Sequence, residues 1–240
     1  MIKFISQLVA AVSTCSAMES ETIKKNGVSP KDLNVIRSRK NFLIFGMILA
    51  TVFFTACVEN NGNGPANPST EAGVMINGTK WATRNVGAFG TFVSKPEDVG
   101  MFYQWNRKTA WASTNNVTGW NDSCPVGTIW EIANDPCPQG WRVPTVDELD
   151  KLVSSGSIWS PKNGMNGRIF GSGNNTVFLP AAGCRGGTGG TLGGVGNYGY
   201  YWSSTQDDET DAYQLLFLNE DVFTDKFSRI GGFNVRCVAE

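Results

Sequence analysis

A chain of 240 residues leaves room for one domain plus appendages, because domains commonly run to about 100–200 residues. Its formal net charge is −1, with the basic excess gathered ahead of Cys57 and the remainder net acidic, so a nucleic-acid partner, which needs clustered Lys and Arg on the folded surface, is excluded. The chain has no histidine, which excludes Ser-His and Cys-His triads, and its sparse charge and abundant Gly favour loops and β structure over long helices.

Residues 1–57 read as a leader and signal region. Phe4 to Val12 is a first apolar patch, followed by Ser13-Thr14-Cys15 and a polar stretch, and it is left out of the fold. Arg37, Arg39 and Lys40 then stand directly before the uncharged run Phe42 to Ala56. That run is shorter than the ~20 residues of a transmembrane helix and suits the roughly 7–15-residue core of a signal peptide. Phe54-Thr55-Ala56-Cys57 resembles a bacterial lipobox, with Phe54 where Leu is usual, which implies lipidation of Cys57 and removal of everything before it. Residues 58–73, rich in Asn, Gly and Pro, read as a flexible polar tether.

The folded domain is expected over residues 74–240. Val74 to Trp81 reads as a hairpin turning at Asn77-Gly78, a pair that accepts positive φ at both central positions, with the second strand running on to Val86. Between Gly100 and Trp120 aromatics recur without a helical period, as in a loop region anchored by rings. One helix is expected after Pro144: Thr145 and Glu148 form a capping box, Leu149, Leu152 and Val153 an apolar stripe, and Gly156 the terminator. Strands are expected at Thr176–Leu179, Tyr200–Ser204, Ala212–Leu218 and Phe233–Val238. The fold class is α+β, a short helix against a mostly antiparallel sheet with long irregular loops.

Asp135-Pro136-Cys137-Pro138-Gln139-Gly140-Trp141-Arg142-Val143-Pro144-Thr145 with Glu148 resembles the signature of the Fibrobacter succinogenes major paralogous domain family. Leu179-Pro180-Ala181-Ala182-Gly183, Gly199 to Thr205 and Gly232 to Val238 resemble its later motifs in order, and Asn85-Val86-Gly87 with Tyr103-Gln104-Trp105 its opening. The family is similar to proteins of the C-type lectin-like fold, including the formylglycine-generating enzymes. The resemblance implies that fold, a short helix framing a small twisted sheet, and little chemistry. It also implies a disulfide between Cys137 and Cys237, whose elements lie together in that fold, and leaves Cys124 and Cys184 as the second pair. The reactive Cys pair of the formylglycine-generating enzymes has no counterpart here.

No C-x-x-C spacing joins Cys124, Cys137, Cys184 and Cys237, so disulfides are a better reading than zinc in an exported protein. No metal or cofactor is expected. Gln206 to Asp211 reads as a solvated acidic turn rather than a calcium loop, Gly194 to Gly199 as a loop opening no helix, and Trp120-Asn121-Asp122 as a chance match to a lectin motif. Trp81, Trp141 and Trp202 are expected in the core, and Trp111, Trp120 and Trp130, in the loop region, are the candidate ligand contacts. The expectation is a lipid-anchored module of the cell envelope, at the outer membrane, held to the membrane by its lipid and contacting a glycan or a surface protein. Two alternatives stand beside it: an enzyme, either an oxidase-like relative of the formylglycine-generating fold or a carboxylate-based hydrolase using acids such as Asp147, Glu148 or Asp211, and a structural part of a surface assembly such as a fimbria.

Overall fold

The computed structural model describes residues 71–186 and 189–240; the leader, Cys57 and residues 58–70 of the tether lie outside them. Among the described residues the chain is mostly β-sheet, with one α-helix and no helix long and apolar enough to cross a membrane.

The expected first hairpin forms from β1 (Val74–Ile76) and β2 (Thr79–Trp81), with Asn77 and Gly78 both at positive φ. Regular pairing stops at Trp81, short of the expected Val86. Ala82 N and Val86 N instead donate to the carbonyls of Cys237 and Val235. The hairpin continues into a four-stranded sheet, β1-β2-β14-β4, where β4 is Trp141–Arg142 and β14 is Val238–Ala239. The two ends of the domain are therefore neighbours.

The helix α1 (Val146–Ser154) starts as expected. Thr145 Oγ1 accepts from Glu148 N, and Glu148 Oε2 accepts from Thr145 N. Arg142 adds two donors to the same carboxylate, at 2.8 and 2.7 Å. Burial raises the pKa of the Glu148 carboxyl, but the bonds from Arg142 and Thr145 outweigh it and hold the group below its ordinary value. Leu149 and Leu152 are buried, and Gly156 follows at positive φ.

Three further sheets complete the layers. One is the meander β5 (Ser157–Trp159), β6 (Gly167–Ser172), β7 (Asn175–Pro180). A second is β10 (Gly199–Gln206), β11 (Asp211–Phe217), β12 (Val222–Ser228), over which α1 packs. The third has the order β3-β13-β8-β9, from Tyr103–Gln104, Gly232–Phe233, Cys184–Arg185 and Leu192–Gly193.

β10 and β11 divide the core through the period-two alternation of a strand. Tyr200, Trp202 and Leu216 face a cluster with Trp105, Trp141 and Phe233, while Tyr201, Leu215 and Phe217 face another with Trp81, Leu149 and Phe170. A sheet buried on both faces needs the nearly continuous apolar and aromatic run that these strands have. Trp81, Trp141 and Trp202 are core residues, as expected.

Two expectations are corrected. The segment expected as one strand over Phe233–Val238 is two short strands, because residues 234–237 bond on one side to the irregular segment 82–86 and on the other to β10. The Cys124–Cys184 pair does not form. Cys124 is free and exposed, its thiol donating to the Glu209 carbonyl at 3.2 Å, whereas Cys184 is buried.

Cys137 and Cys237 are bonded, with Cα atoms 6.0 Å apart and a sequence separation of 100. Closing a loop of that length constrains the unfolded chain by about 4–5 kcal/mol in the simplest entropy model. The double variant Cys137→Ala/Cys237→Ala should therefore melt roughly 10 °C or more below the parent, by calorimetry under non-reducing conditions. An unchanged melting temperature would show that the bond constrains little.

Candidate functional site

An open cleft of about 750 Å³ combines polar and apolar groups. Its walls are two turns. The first spans Lys95 to Asp98: Lys95 N donates to Asp98 Oδ2 at 2.9 Å and Asp98 N to the Lys95 carbonyl at 3.1 Å. The second is the tip of a small hairpin, closed by reciprocal backbone bonds between Lys162 and Met165, with Asn163 and Gly164 at positive φ. The turns touch where Asn163 Nδ2 donates to Glu97 Oε1. That hydrogen bond, helped by the nearby Lys162 and Lys95, lowers the pKa of the exposed Glu97 carboxyl.

The floor is the segment Val99 to Met101. Asn85 Nδ2 donates to the Val99 carbonyl at 2.8 Å, and Asn234 Nδ2 donates to Val99 at 2.9 Å and Met101 at 3.1 Å. Gly100 is required between them, since its φ is +79° and a Cβ there would lie 2.3 Å from the Val86 carbonyl oxygen. Asn85 is itself fixed from behind. Its Oδ1 accepts from Nε and one terminal nitrogen of the fully buried Arg236, which also reaches the carbonyls of Ala82 and Phe178. Burial pulls the pKa of that guanidinium down to about 10.

The cleft presents groups that the fold does not use. The hydroxyls of Ser94 and Ser113 make no hydrogen bond among the described residues, and Asp98 bonds its own turn through Oδ2. Met101 and Met165 add apolar surface. On the other side of the Glu97–Asn163 contact lies a second recess of about 450 Å³, lined by Pro96, Pro161, Lys162, Ile169 and Phe178.

The tryptophans chosen from sequence lie elsewhere. Trp111 and Trp130 are buried, which corrects their assignment as ligand contacts. Trp130 packs edge-on against Trp105 with centroids 5.5 Å apart and donates from Nε1 to the Asn134 carbonyl. Trp111 stacks at a tilt on Trp120, centroids 4.9 Å apart. Trp120 is partly exposed, but its ring covers Gly190 and Gly232, where a Cβ would lie within 2.7 Å of it.

The acidic turn folds upon itself. Asp208 Oδ1 accepts from Thr210 N, Thr210 Oγ1 and Asp211 N, all within 2.9 Å. Among the described residues no group of His, Cys, Asp and Glu is placed to hold a metal ion. Glu148, one of the acids considered for catalysis, is committed to Arg142 and Thr145.

Sequence reasoning missed the cleft. One signal for it was present, since Asn163-Gly164 is the same turn dipeptide that located the first hairpin.

The model of the family described as the Fibrobacter succinogenes major domain matches residues 59–239. No curated protein and no solved structure matches the chain.

Arg236 supports the floor through Asn85, so its removal should be costly. Arg236→Met leaves the Asn85 side-chain oxygen and two buried carbonyls without donors and should destabilise the domain by about 3–5 kcal/mol. Lys226→Met, which removes an exposed, solvent-screened partner of Asp207, should cost far less. Paired denaturant melts decide the order; equal losses would contradict the role given to Arg236.

Proposed function

We propose that this chain, which belongs to the Fibrobacter succinogenes major domain family, is a lipid-anchored binding module of the cell envelope. In this reading residues 1–57 are a leader and signal region, Cys57 carries the lipid, residues 58–73 tether as far as Glu71, which is docked on Thr83 and Arg84, and residues 74–240 form a domain of C-type lectin-like fold at the outer membrane. The family order of motifs supports that fold, as do the single helix over an antiparallel sheet and the pairing of the strands at the two ends of the domain.

The observation that carries the binding role is the cleft between Glu97 and Asn163. Serine hydroxyls and a carboxylate oxygen without bonds in the fold converge there over a floor braced from the core, as a recognition site requires. Its partner is a glycan or a protein of the envelope.

A role in a surface assembly has its own support. Val126 and Ile132 are 87% and 93% exposed and Ile129 is exposed between them, beside the free Cys124, on a segment pinned by the buried Trp130. Such a run favours contact with another protein.

Cys57→Ser should remove the acyl chains and move the protein from the membrane to the soluble fraction, since stable anchoring needs more than one chain. Retention in the membrane without lipid mass would contradict the anchor. For the binding role, a photo-cross-linking residue at Ser113 should capture an envelope component in living cells, and one at the exposed Ile158 should not. Equal capture at both positions would remove the cleft from the account.

A further inference from the structure

We propose that the two recesses beside the Glu97–Asn163 contact form one groove for a neutral, linear oligosaccharide; this rests on the binding-module reading above. The walls are shared. Pro96 lines the smaller recess and its neighbour Glu97 the larger, as Lys162 and Asn163 do on the second turn, so the two recesses adjoin along the same two turns. A ligand filling both must be elongated.

Charge balance argues for a neutral ligand. Glu97 and Asp98 on one turn are offset by Lys95 beside them and Lys162 opposite. A polyanion would gain at the lysines and lose at the carboxylates, and a polycation the reverse.

Hydrogen bonding separates a saccharide from a peptide. Extended peptides are held by rows of free backbone N–H and C=O groups at a strand edge. None of the residues lining the larger recess belongs to a strand, and much of its backbone is engaged: Lys162 with Met165, Lys95 with Asp98, and the Val99 and Met101 carbonyls with Asn85 and Asn234. Side-chain groups are what it offers. Ser94 and Ser113 each offer a donor and acceptors, and Asp98 an acceptor oxygen, a mixture that matches sugar hydroxyls.

The smaller recess supplies the other half of a sugar's chemistry. A pyranose has C–H faces as well as hydroxyl edges, and this recess is lined by Pro96, Pro161, Ile169 and Phe178, with the Lys162 ammonium 5.8 Å from the Phe178 ring centroid. The Glu97–Asn163 bond crosses between the two. Both residues lie on turns at the surface, and their amide and carboxylate can exchange this bond for hydroxyls of a chain passing between them.

The test uses the full chain in detergent micelles, with methyl-labelled methionine. Cellohexaose, xylohexaose and mannohexaose are the neutral probes; a hexagalacturonate, hexalysine and an alanine-serine hexapeptide are the comparisons. At least one neutral hexamer should shift the methyl signals of Met101 and Met165. Asp98→Asn and Ser113→Ala should each weaken that probe about tenfold with the melting temperature unchanged, as expected for loss of a hydrogen bond that involves or adjoins a charged group. Asn163→Gly keeps the positive-φ turn while removing the crossing bond, and should change the affinity without changing the fold. Ile132→Ser, at the exposed apolar run outside both recesses, should have no effect. Binding of the peptide or a charged hexamer in the groove, with no neutral hexamer bound, overturns the saccharide assignment and leaves the binding module standing. If no probe moves either methionine, the saccharide assignment fails, and capture at Ser113 in cells decides separately whether the binding-module reading fails with it.

Discussion

Arg236 is buried completely in a fold whose sheets are short, and among the described residues no carboxylate accepts a hydrogen bond from it. A buried guanidinium is costly unless its donors are met, and here they are met by neutral oxygens from two separate parts of the chain, the segment 82–86 and β7. The benefit runs the other way as well. Irregular segments bring carbonyls inside that no ladder can serve, and an unpaired buried carbonyl costs about as much as a lost hydrogen bond. The same exchange recurs. Arg185 donates to the carbonyls of Ala112, Thr114, Asn115 and Gly190; Arg168 to those of Leu218 and Asp221; Arg229 to those of Glu209 and Gly127 while lying 4.1 Å from the Trp105 ring centroid. Each arginine ties loops that strand pairing leaves apart.

This arrangement explains how so open a cleft can rest on so irregular a backbone. Val99 to Met101 belong to no strand, yet their carbonyls are held by two asparagines, one of them locked by Arg236. Asn234 and Arg236 lie on the same C-terminal segment as Cys237, whose disulfide reaches Cys137 just ahead of β4 and α1. The segment 234–237 is therefore a spine. It joins the loop under the cleft, the helix region and the first hairpin within a few residues.

What could be read in the sequence was what local chemistry decides. Asn77-Gly78 located its hairpin, Thr145 and Glu148 the start of the helix, and the aromatic run Tyr200-Tyr201-Trp202 a strand buried on both faces. The resemblance correctly implied the Cys137–Cys237 bond. Tertiary partners were not legible. Nothing local shows that Arg185 or Arg229 turns inward, since an arginine without a nearby acid reads as surface. Trp111 and Trp130 sit in a polar, loop-like stretch but are the anchors that fasten it, so their context pointed outward and their rings went inward. The hairpin β11–β12 lacks a turn signal as strong as Asn-Gly, and Phe233 to Val238 reads as one strand because its pairing changes partners invisibly.

If buried arginines replace strand pairing as the framework, their side-chain protons must be as protected as core amides. Arginine Nε–H hydrogen exchange by nuclear magnetic resonance measures this directly. The Nε–H groups of Arg168, Arg185 and Arg236, each donating to a protein oxygen, should exchange only on the timescale of global unfolding, with half-exposed Arg142 as the faster internal reference. Exchange of Arg236 and Arg185 at the rate of Arg142 would contradict the account, because it would place water where the structure places carbonyl oxygens.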